Sequence, residues 1–358
     1  MVGAATPVTV TSTATQTASP VPPTGAALST QLAELVRTMD GTMNDFAGAV
    51  LIAEGNHVLL AHAYGVADEK LRTPVTLATR FRIGSITKQF TAMAILMLEH
   101  QGHLRLSDRV CHYVADCPAT WAPVTLSELL THTSGIPNYT DVPTFPALEP
   151  HASAPARVLG LVRNLPLSFP PGTAFEYSNT GFFLLGLVVE KVSGMTYEGF
   201  LRQHIFDPLR MRNTGYDHGH QGVAVGYASA GKPADPFDTS LAFSAGALYS
   251  TVGDLHLWEQ ALRAGSLVPK SVVAEMEQPR VKIGNSTGNQ YGYGLFIGQI
   301  GDASHLVLKI GHTGEINGFI SLLSYYPASV LDVVILSNHE DTNLNGIDDK
   351  VRQLIVGS

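Results

Sequence analysis

Ser85 and Lys88 pair a hydroxyl nucleophile with an amine able to take its proton. They stand three residues apart in Phe81-Arg-Ile-Gly-Ser-Ile-Thr-Lys-Gln-Phe90, which runs on as Thr91-Ala-Met-Ala-Ile-Leu-Met-Leu-Glu-His-Gln-Gly102. Gly84 ends an extended segment. Apolar side chains at Ile86, Phe90, Met93, Ile95, Leu96 and Met97 then leave almost no polar face, so a buried helix of about four turns is expected. Residues at i and i+3 project from the same side of a helix, so the ammonium can reach the hydroxyl. The serine would sit among unpaired N–H groups at the positive end of the helix dipole, and a lysine desolvated there has its pKa pushed down. The expected chemistry is a serine nucleophile served by a lysine base. Spacing alone does not select this pair, because Ser229-Ala-Gly-Lys232 fits the same pattern. That copy lies in a Gly/Ala/Pro stretch with Pro233 next, where no helix holds the two side chains together.

Two further motifs supply what such a pair lacks. Tyr177-Ser-Asn179 precedes an apolar run that starts at Gly181. A phenol there can accept or relay a proton, and the Asn179 amide can hold a substrate carbonyl or the lysine. The alternative is a plain helix cap, since Ser178, Asn179 and Thr180 are all capping types. His312-Thr-Gly314 follows an expected strand at Leu306–Ile310. The imidazole and the Thr313 hydroxyl offer hydrogen bonds, and Gly314 lets a substrate backbone approach the strand edge. The alternative there is an ordinary turn.

In this order, the three motifs resemble the signature of the serine β-lactamase and penicillin-binding-protein superfamily, Ser-x-x-Lys, Ser-Asp-Asn and Lys-Thr-Gly. The middle element, Tyr-Ser-Asn, is the form found in class C β-lactamases, DD-peptidases and family VIII-like esterases. Leu129-Leu-Thr-His-Thr-Ser-Gly135, Ser244-Ala-Gly-Ala-Leu-Tyr-Ser-Thr251 with Asp254, and Tyr291-Gly-Tyr-Gly-Leu295 look like the same family, so the resemblance spans roughly residues 30–356. It implies an α+β fold: an antiparallel sheet flanked by helices, with an inserted all-α domain and the site between the two. It also implies an acyl-enzyme on Ser85 with Lys88 as proton acceptor and Tyr177 as proton shuttle. Asn179 would position substrate, and an oxyanion hole would form from the backbone N–H groups of Ser85 and Glu315.

The implied activity is that of a D-Ala-D-Ala carboxypeptidase-like or β-lactamase-related enzyme with esterase activity. A dedicated carboxylesterase or a D-amino-acid peptidase is the alternative, and a catalytically weak cell-wall-peptide binding protein is the alternative of another class. Two departures bear on the choice. His312 stands where β-lactam-binding members carry Lys, and an imidazole near its ordinary pKa is only partly charged at neutral pH, so it attracts a substrate carboxylate less firmly. Glu315 puts a carboxylate beside the expected oxyanion hole, although strand alternation should carry it away from that face.

Other motif-like stretches fail in context. Gly284-Asn-Ser-Thr-Gly288 imitates a lipase elbow but leads into a strand rather than a helix. Gly226–Lys232 imitates a phosphate loop but ends in Pro233. Asp341-x-Asn343-x-Asn345 imitates half of an EF-hand, with Arg352 at the position that requires Glu. The fourteen histidines show no metal-binding spacing, and no metal or cofactor is expected.

The elements that must position these residues follow from periodicity. Thr30–Asp40 reads as a helix, and Ala47–Ala53 and Val58–Tyr64 as a hairpin across Gly55-Asn56. The middle reads as helices at Leu126–His132, Ala156–Leu165, Gly181–Ser193, Tyr197–Ile205 and Val252–Ala264. Strands return at Gly294–Ile300, Leu306–Ile310, Phe319–Tyr326 and Leu331–Ser337, before a closing helix at about Ile347–Ile355. The expected organisation is therefore a disordered leader over 1–29, a sheet domain from 30–83 plus 288–358, and a mainly helical domain over 84–287. Loops at Asn138–Pro155 and Gly215–Asp238 should shape the pocket.

The chain has 358 residues, 45% hydrophobic and 15% charged, with a net charge of -8 and no Lys/Arg run. Nucleic acid and anionic membrane are poor partners for such a surface, and no apolar run approaches the roughly 20 residues of a membrane span. The expected partner is a small-molecule or short-peptide substrate: an ester, an amide or a β-lactam. Cys111 and Cys117, six apart, suit either a disulfide, and with it a periplasmic or extracellular location, or two inert buried thiols.

Overall fold

A computed structural model describes residues 30–32, 34, 46–219, 222–284, 288–300 and 306–356. The expected leader, most of the expected first helix and Ser286 of the elbow-like stretch lie outside the described residues; Thr30, Gln31, Leu32 and Glu34 are helical.

An eight-stranded antiparallel sheet draws on both ends of the chain. Its strands are β1 (Gly48–Glu54), β2 (His57–Tyr64), β3 (Val281–Lys282), β4 (Asn289–Tyr291), β5 (Phe296–Ile300), β6 (Val307–Ile316), β7 (Phe319–Tyr326) and β8 (Leu331–Ser337), in the spatial order β3-β4-β5-β6-β7-β8-β1-β2. Gly55, at φ +59, lets β1 turn directly into β2. Alternation along the strands separates two apolar faces. Ile310, Leu323, Val334 and Leu336 face the helices inserted between β2 and β3. Val50, Ile52, Leu322, Val333 and Ile335 face Leu344, Ile347 and Val351 of the closing helix.

The inserted region centres on α1 (Thr87–His100), reached through a 3-10 turn at Gly84–Ile86. Every residue from Thr87 to Leu98 is buried, so this helix is walled on all sides. α2 (Leu126–Leu130) packs on α3 (Asn179–Ser193), which packs against α1 together with α4 (Phe243–Gly246) and, through Trp258, α5 (Val252–Ala264), while α6 (Leu344–Val356) closes the far face of the sheet. Two expected helices are shorter than their periodicity suggests. Leu126–Leu130 stops two residues early and Pro155–Gly160 five, whereas the helix from Tyr197 continues through a π-turn over Arg202–Phe206 and so spans the expected stretch.

Cys111 and Cys117 form a disulfide with Cα atoms 5.3 Å apart, which removes the reading as two free thiols. Gly226–Lys232 builds a small hairpin, Tyr227–Ser229 against Lys232–Pro233, so the second Ser-x-x-Lys lies on a turn. Asn343 accepts the Gly346 N–H at 3.0 Å and opens α6, a capping role for the EF-hand-like stretch. Among the described residues no helix is long and apolar enough to cross a membrane, and no three His, Cys, Asp or Glu side chains cluster as a metal site would require.

Candidate active site

Two glycines bring the serine turn onto the sheet. A Cβ on Gly314 would lie 2.0 Å from the Ile83 carbonyl oxygen and 2.4 Å from Ser321 Oγ. A Cβ on Gly84, whose φ is +47, would lie 2.7 Å from the Glu315 nitrogen. The Ser321 hydroxyl donates to the Ile83 carbonyl at 2.9 Å and fastens the approach. Gly314 is thus required by the segment that carries Ser85, a constraint the sequence did not indicate. The strand is also longer than expected. It runs through Ile316, so His312, Thr313, Gly314 and Glu315 lie within β6, and the turn alternative falls.

Pairing with β5 ends at Gly311, so residues 312–316 present an edge that β5 does not cover. The Glu315 nitrogen borders Gly84 there, as an oxyanion donor beside Ser85 must. Thr313 and Glu315 pair across β7 with Leu322 and Ile320, on the face opposite His312 and Gly314. Both side chains are exposed, and Glu315 borders the cavity beside Asn179 and Ala245.

Lys88 is buried at the first turn of α1. Its Nζ lies 2.9 Å from Ser85 Oγ, 2.8 Å from Asn179 Oδ1 and 2.9 Å from the Ala245 carbonyl oxygen. The Asn179 and Ala245 oxygens can only accept. A neutral amine gives them its two N–H groups and leaves its lone pair facing the Ser85 hydroxyl, the geometry of a base. Burial pushes the Lys88 pKa well below its ordinary 10.5, which makes that neutral form accessible. Ala245 holds the lysine through a backbone carbonyl of α4, and a carbonyl leaves no mark in the residue types.

Tyr177 reaches the same oxygen from the other side. Its hydroxyl hydrogen-bonds Ser85, its ring lies 4.8 Å from Lys88 Nζ, and burial raises its pKa, so the resting phenol keeps its proton. Of the two groups that reach Ser85, Lys88 is thus the one whose proton-accepting form burial favours. Tyr177 also does not cap α3: Ser178, which opens the helix, makes no side-chain cap and gives its hydroxyl to the Ile136 carbonyl at 3.1 Å. Asn179 is pinned by its own N–H to Asn138 Oδ1 at 3.0 Å. The helix-cap alternative for this motif does not hold.

His312 lies in an aromatic wall with Phe296, Tyr291 and Tyr177, its ring centroid 4.6, 5.9 and 6.1 Å from theirs. Its Nδ1 faces the Thr313 carbonyl and its Nε2 lies 3.0 Å from the Tyr291 hydroxyl, which donates to it when the ring is neutral. Burial, with the Lys88 charge second, lowers its pKa to about 3. His312 is thus uncharged at neutral pH, not partly charged as its residue type suggested.

A cavity of about 590 Å³ opens beside Asn179, Ala245 and Glu315, walled by both loops expected to shape it. Tyr139, Phe145 and Phe237 give it aromatic sides. Among the described residues that line it, four are acidic, Glu149, Asp235, Glu315 and Glu340, against one cation, Lys232. The field in the cleft therefore disfavours an anionic ligand.

Comparisons with known proteins agree with this geometry. A family model described as Beta-lactamase matches residues 32–358. Penicillin-binding protein 4* of Bacillus subtilis (strain 168) is 29% identical over 322 residues, which cover 84% of this chain and 70% of that protein. The crystal structure of a penicillin-binding protein from Bacillus halodurans superposes with a TM-score of 0.79 at 28% identity, covering 89% of this chain and 98% of that one. A D-stereospecific amidohydrolase from Streptomyces sp. superposes with a TM-score of 0.75 at 26% identity, covering 93% and 98%.

Proposed function

The chain belongs to the Beta-lactamase family, whose members are serine hydrolases acting on small-molecule or peptide substrates, and from that premise we propose that it hydrolyses small esters or amides with no carboxylate beside the scissile bond. The observation that carries this reading is the Lys88 amine, held by two acceptors with its remaining position on Ser85 Oγ. Ser85 Oγ attacks the carbonyl carbon as its proton passes to Lys88 Nζ. The oxyanion lies between the Ser85 and Glu315 N–H groups, and each such donor typically supplies about 3 kcal/mol to the transition state. Tyr177 gives its phenol proton to the leaving alkoxide or amine, and the transient phenolate rests beside the Lys88 ammonium. In deacylation the phenolate takes a proton from water, hydroxide adds to the acyl carbon, and Lys88 returns its proton to Ser85 as the bond to Oγ breaks. Protons and bonds balance over the cycle.

The uncharged His312 and the acidic cleft argue against a substrate carboxylate, so they favour ester or amide hydrolysis over a D-Ala-D-Ala carboxypeptidase or a β-lactamase. Amide substrates of D-configuration stay within this class, in keeping with the likeness to a D-stereospecific amidohydrolase. The Cys111–Cys117 bond supports a periplasmic or extracellular setting.

The test compares kcat/KM for p-nitrophenyl acetate, a D-Ala-D-Ala peptide and nitrocefin. The ester should lead by tenfold or more, and Ser85→Ala should abolish its turnover. A faster peptide or nitrocefin would overturn the substrate class. Failure of a fluorophosphonate to add mass at Ser85, with no ester turned over, would mean a protein that only binds.

A further inference from the structure

Resting on the assignment of Tyr177 above, we propose that His132 is a positioning residue that holds Tyr177 against Ser85 by fixing the backbone on both sides of it. His132 follows α2 with φ +58, the left-handed region that few residues other than glycine enter. From there one residue reaches both flanks of the tyrosine. Its carbonyl accepts the Glu176 N–H at 3.0 Å, and its Nδ1 accepts the Ser178 N–H at 3.1 Å. Its ring lies 4.3 Å from the Tyr177 ring, with Phe182 and Tyr291 behind at 5.1 and 4.7 Å.

Because Nδ1 accepts, the proton of the neutral ring is on Nε2. That Nε2 is buried and has no hydrogen-bond partner among the described residues. An apolar ring would pack here without that cost. It would also leave the Ser178 N–H, which is buried, without its acceptor. The imidazole is therefore explained by the acceptor it gives the Tyr177 segment rather than by its bulk. Burial and the Lys88 charge hold its pKa well below the ordinary 6.5, so the acceptor persists at neutral pH.

The experiment is a double-mutant cycle on p-nitrophenyl acetate hydrolysis by the whole protein, with melting temperature followed in parallel. Tyr177→Phe should lower kcat by about 100-fold, within the usual range for one acid–base group. H132L should lower kcat to a similar extent with KM within about threefold, and H132L/Y177F should be no slower than Y177F alone. H132N places an amide oxygen near the Nδ1 position and suits a left-handed φ, so it should keep kcat within about fivefold. H132Q places its oxygen too far out and should not. This second pair decides the matter even if H132L does not fold.

A normal kcat in H132L, a kcat in H132Q equal to that in H132N, or a double variant far slower than Y177F would each overturn the positioning role while leaving Tyr177 in place. Y177F as fast as wild type would overturn both that role and the function assigned to Tyr177.

Discussion

Lys88 places its ammonium or amine among two carbonyl acceptors and one hydroxyl, and only the amine can take the hydroxyl proton. Burial lowers its pKa, so the competent form persists below the ordinary lysine range and is lost as pH falls through the folded-state value. The acid limb of kcat/KM for p-nitrophenyl acetate should therefore lie well below 10.5. Lys88→Ala should lose about 10³-fold, the scale of a general base, and should lose the limb as well. His312 titrates at about 3 and cannot supply that limb, so His312→Gln should leave its midpoint in place. A limb that disappears in His312→Gln, or a Lys88→Ala enzyme within tenfold of wild type, would transfer the base to another group. At this scale Ser85, Lys88, Tyr177 and Asn179 were legible from motif order and context, which set Ser85/Lys88 apart from the Ser229/Lys232 copy, and the fold brings their side chains together. The sequence was silent on the Ala245 carbonyl, since any residue type supplies one. His132 was visible only as a letter in Leu129-Leu-Thr-His-Thr-Ser-Gly135, with nothing to say that its ring faces a backbone N–H.

Among the elements, apolar runs and helical spacing located several strands and helices well. Phe319–Tyr326 and Leu331–Ser337, covered on both faces, and Val252–Ala264 begin and end where those patterns put them. The same reading ended β6 too early, at Ile310, because Gly311 and Gly314 are local breakers. The strand continues because Gly314 meets Ile83, a contact set by the fold and invisible to local spacing. The start of α3 was misplaced for a related reason. Ser178, Asn179 and Thr180 look like caps, yet Asn179 and Thr180 are already helical, and their side chains serve Lys88 and the Pro137 carbonyl. The Gly314 contact is open to a direct test. Gly314→Ala sets a methyl 2.0 Å from the Ile83 oxygen, so the serine turn must lift off β6 and the Glu315 N–H must leave the oxyanion position. It should cost at least 100-fold in kcat/KM and several degrees of melting temperature. Gly253→Ala, in α5 with its nearest atom 4.0 Å away, should leave kcat/KM unchanged and hold or slightly raise the melting temperature. Equal behaviour of the two variants would mean that the close approach is not what holds the site.

At the scale of the whole molecule, the sheet comes from both ends of the chain and the helices from its middle, so the cleft between them collects loops with no local relation to the serine. Those loops set its charge. Glu149, Asp235, Glu315 and Glu340 line the cavity against Lys232, on a chain whose net charge is -8. His312, being neutral, adds no compensating charge. An anionic substrate must therefore approach against both the local and the overall field, and a neutral one feels neither. Salt distinguishes the two cases, because the screening length falls from about 30 Å at 0.01 M to about 4 Å near 0.5 M. Between those concentrations kcat/KM for the anionic ester p-nitrophenyl hemisuccinate should rise severalfold, while that for p-nitrophenyl acetate should stay within about 1.5-fold. E149Q/D235N/E340Q should raise the low-salt rate of the hemisuccinate toward its high-salt value and remove most of the salt dependence. The amide oxygen that E340Q introduces can still accept the Gly318 N–H that Glu340 accepts at 2.6 Å, so the loop contact survives this change. A hemisuccinate rate that falls with added salt would show that a cation in the cleft governs capture, and would return carboxylate-bearing peptides and β-lactams to the head of the substrate list.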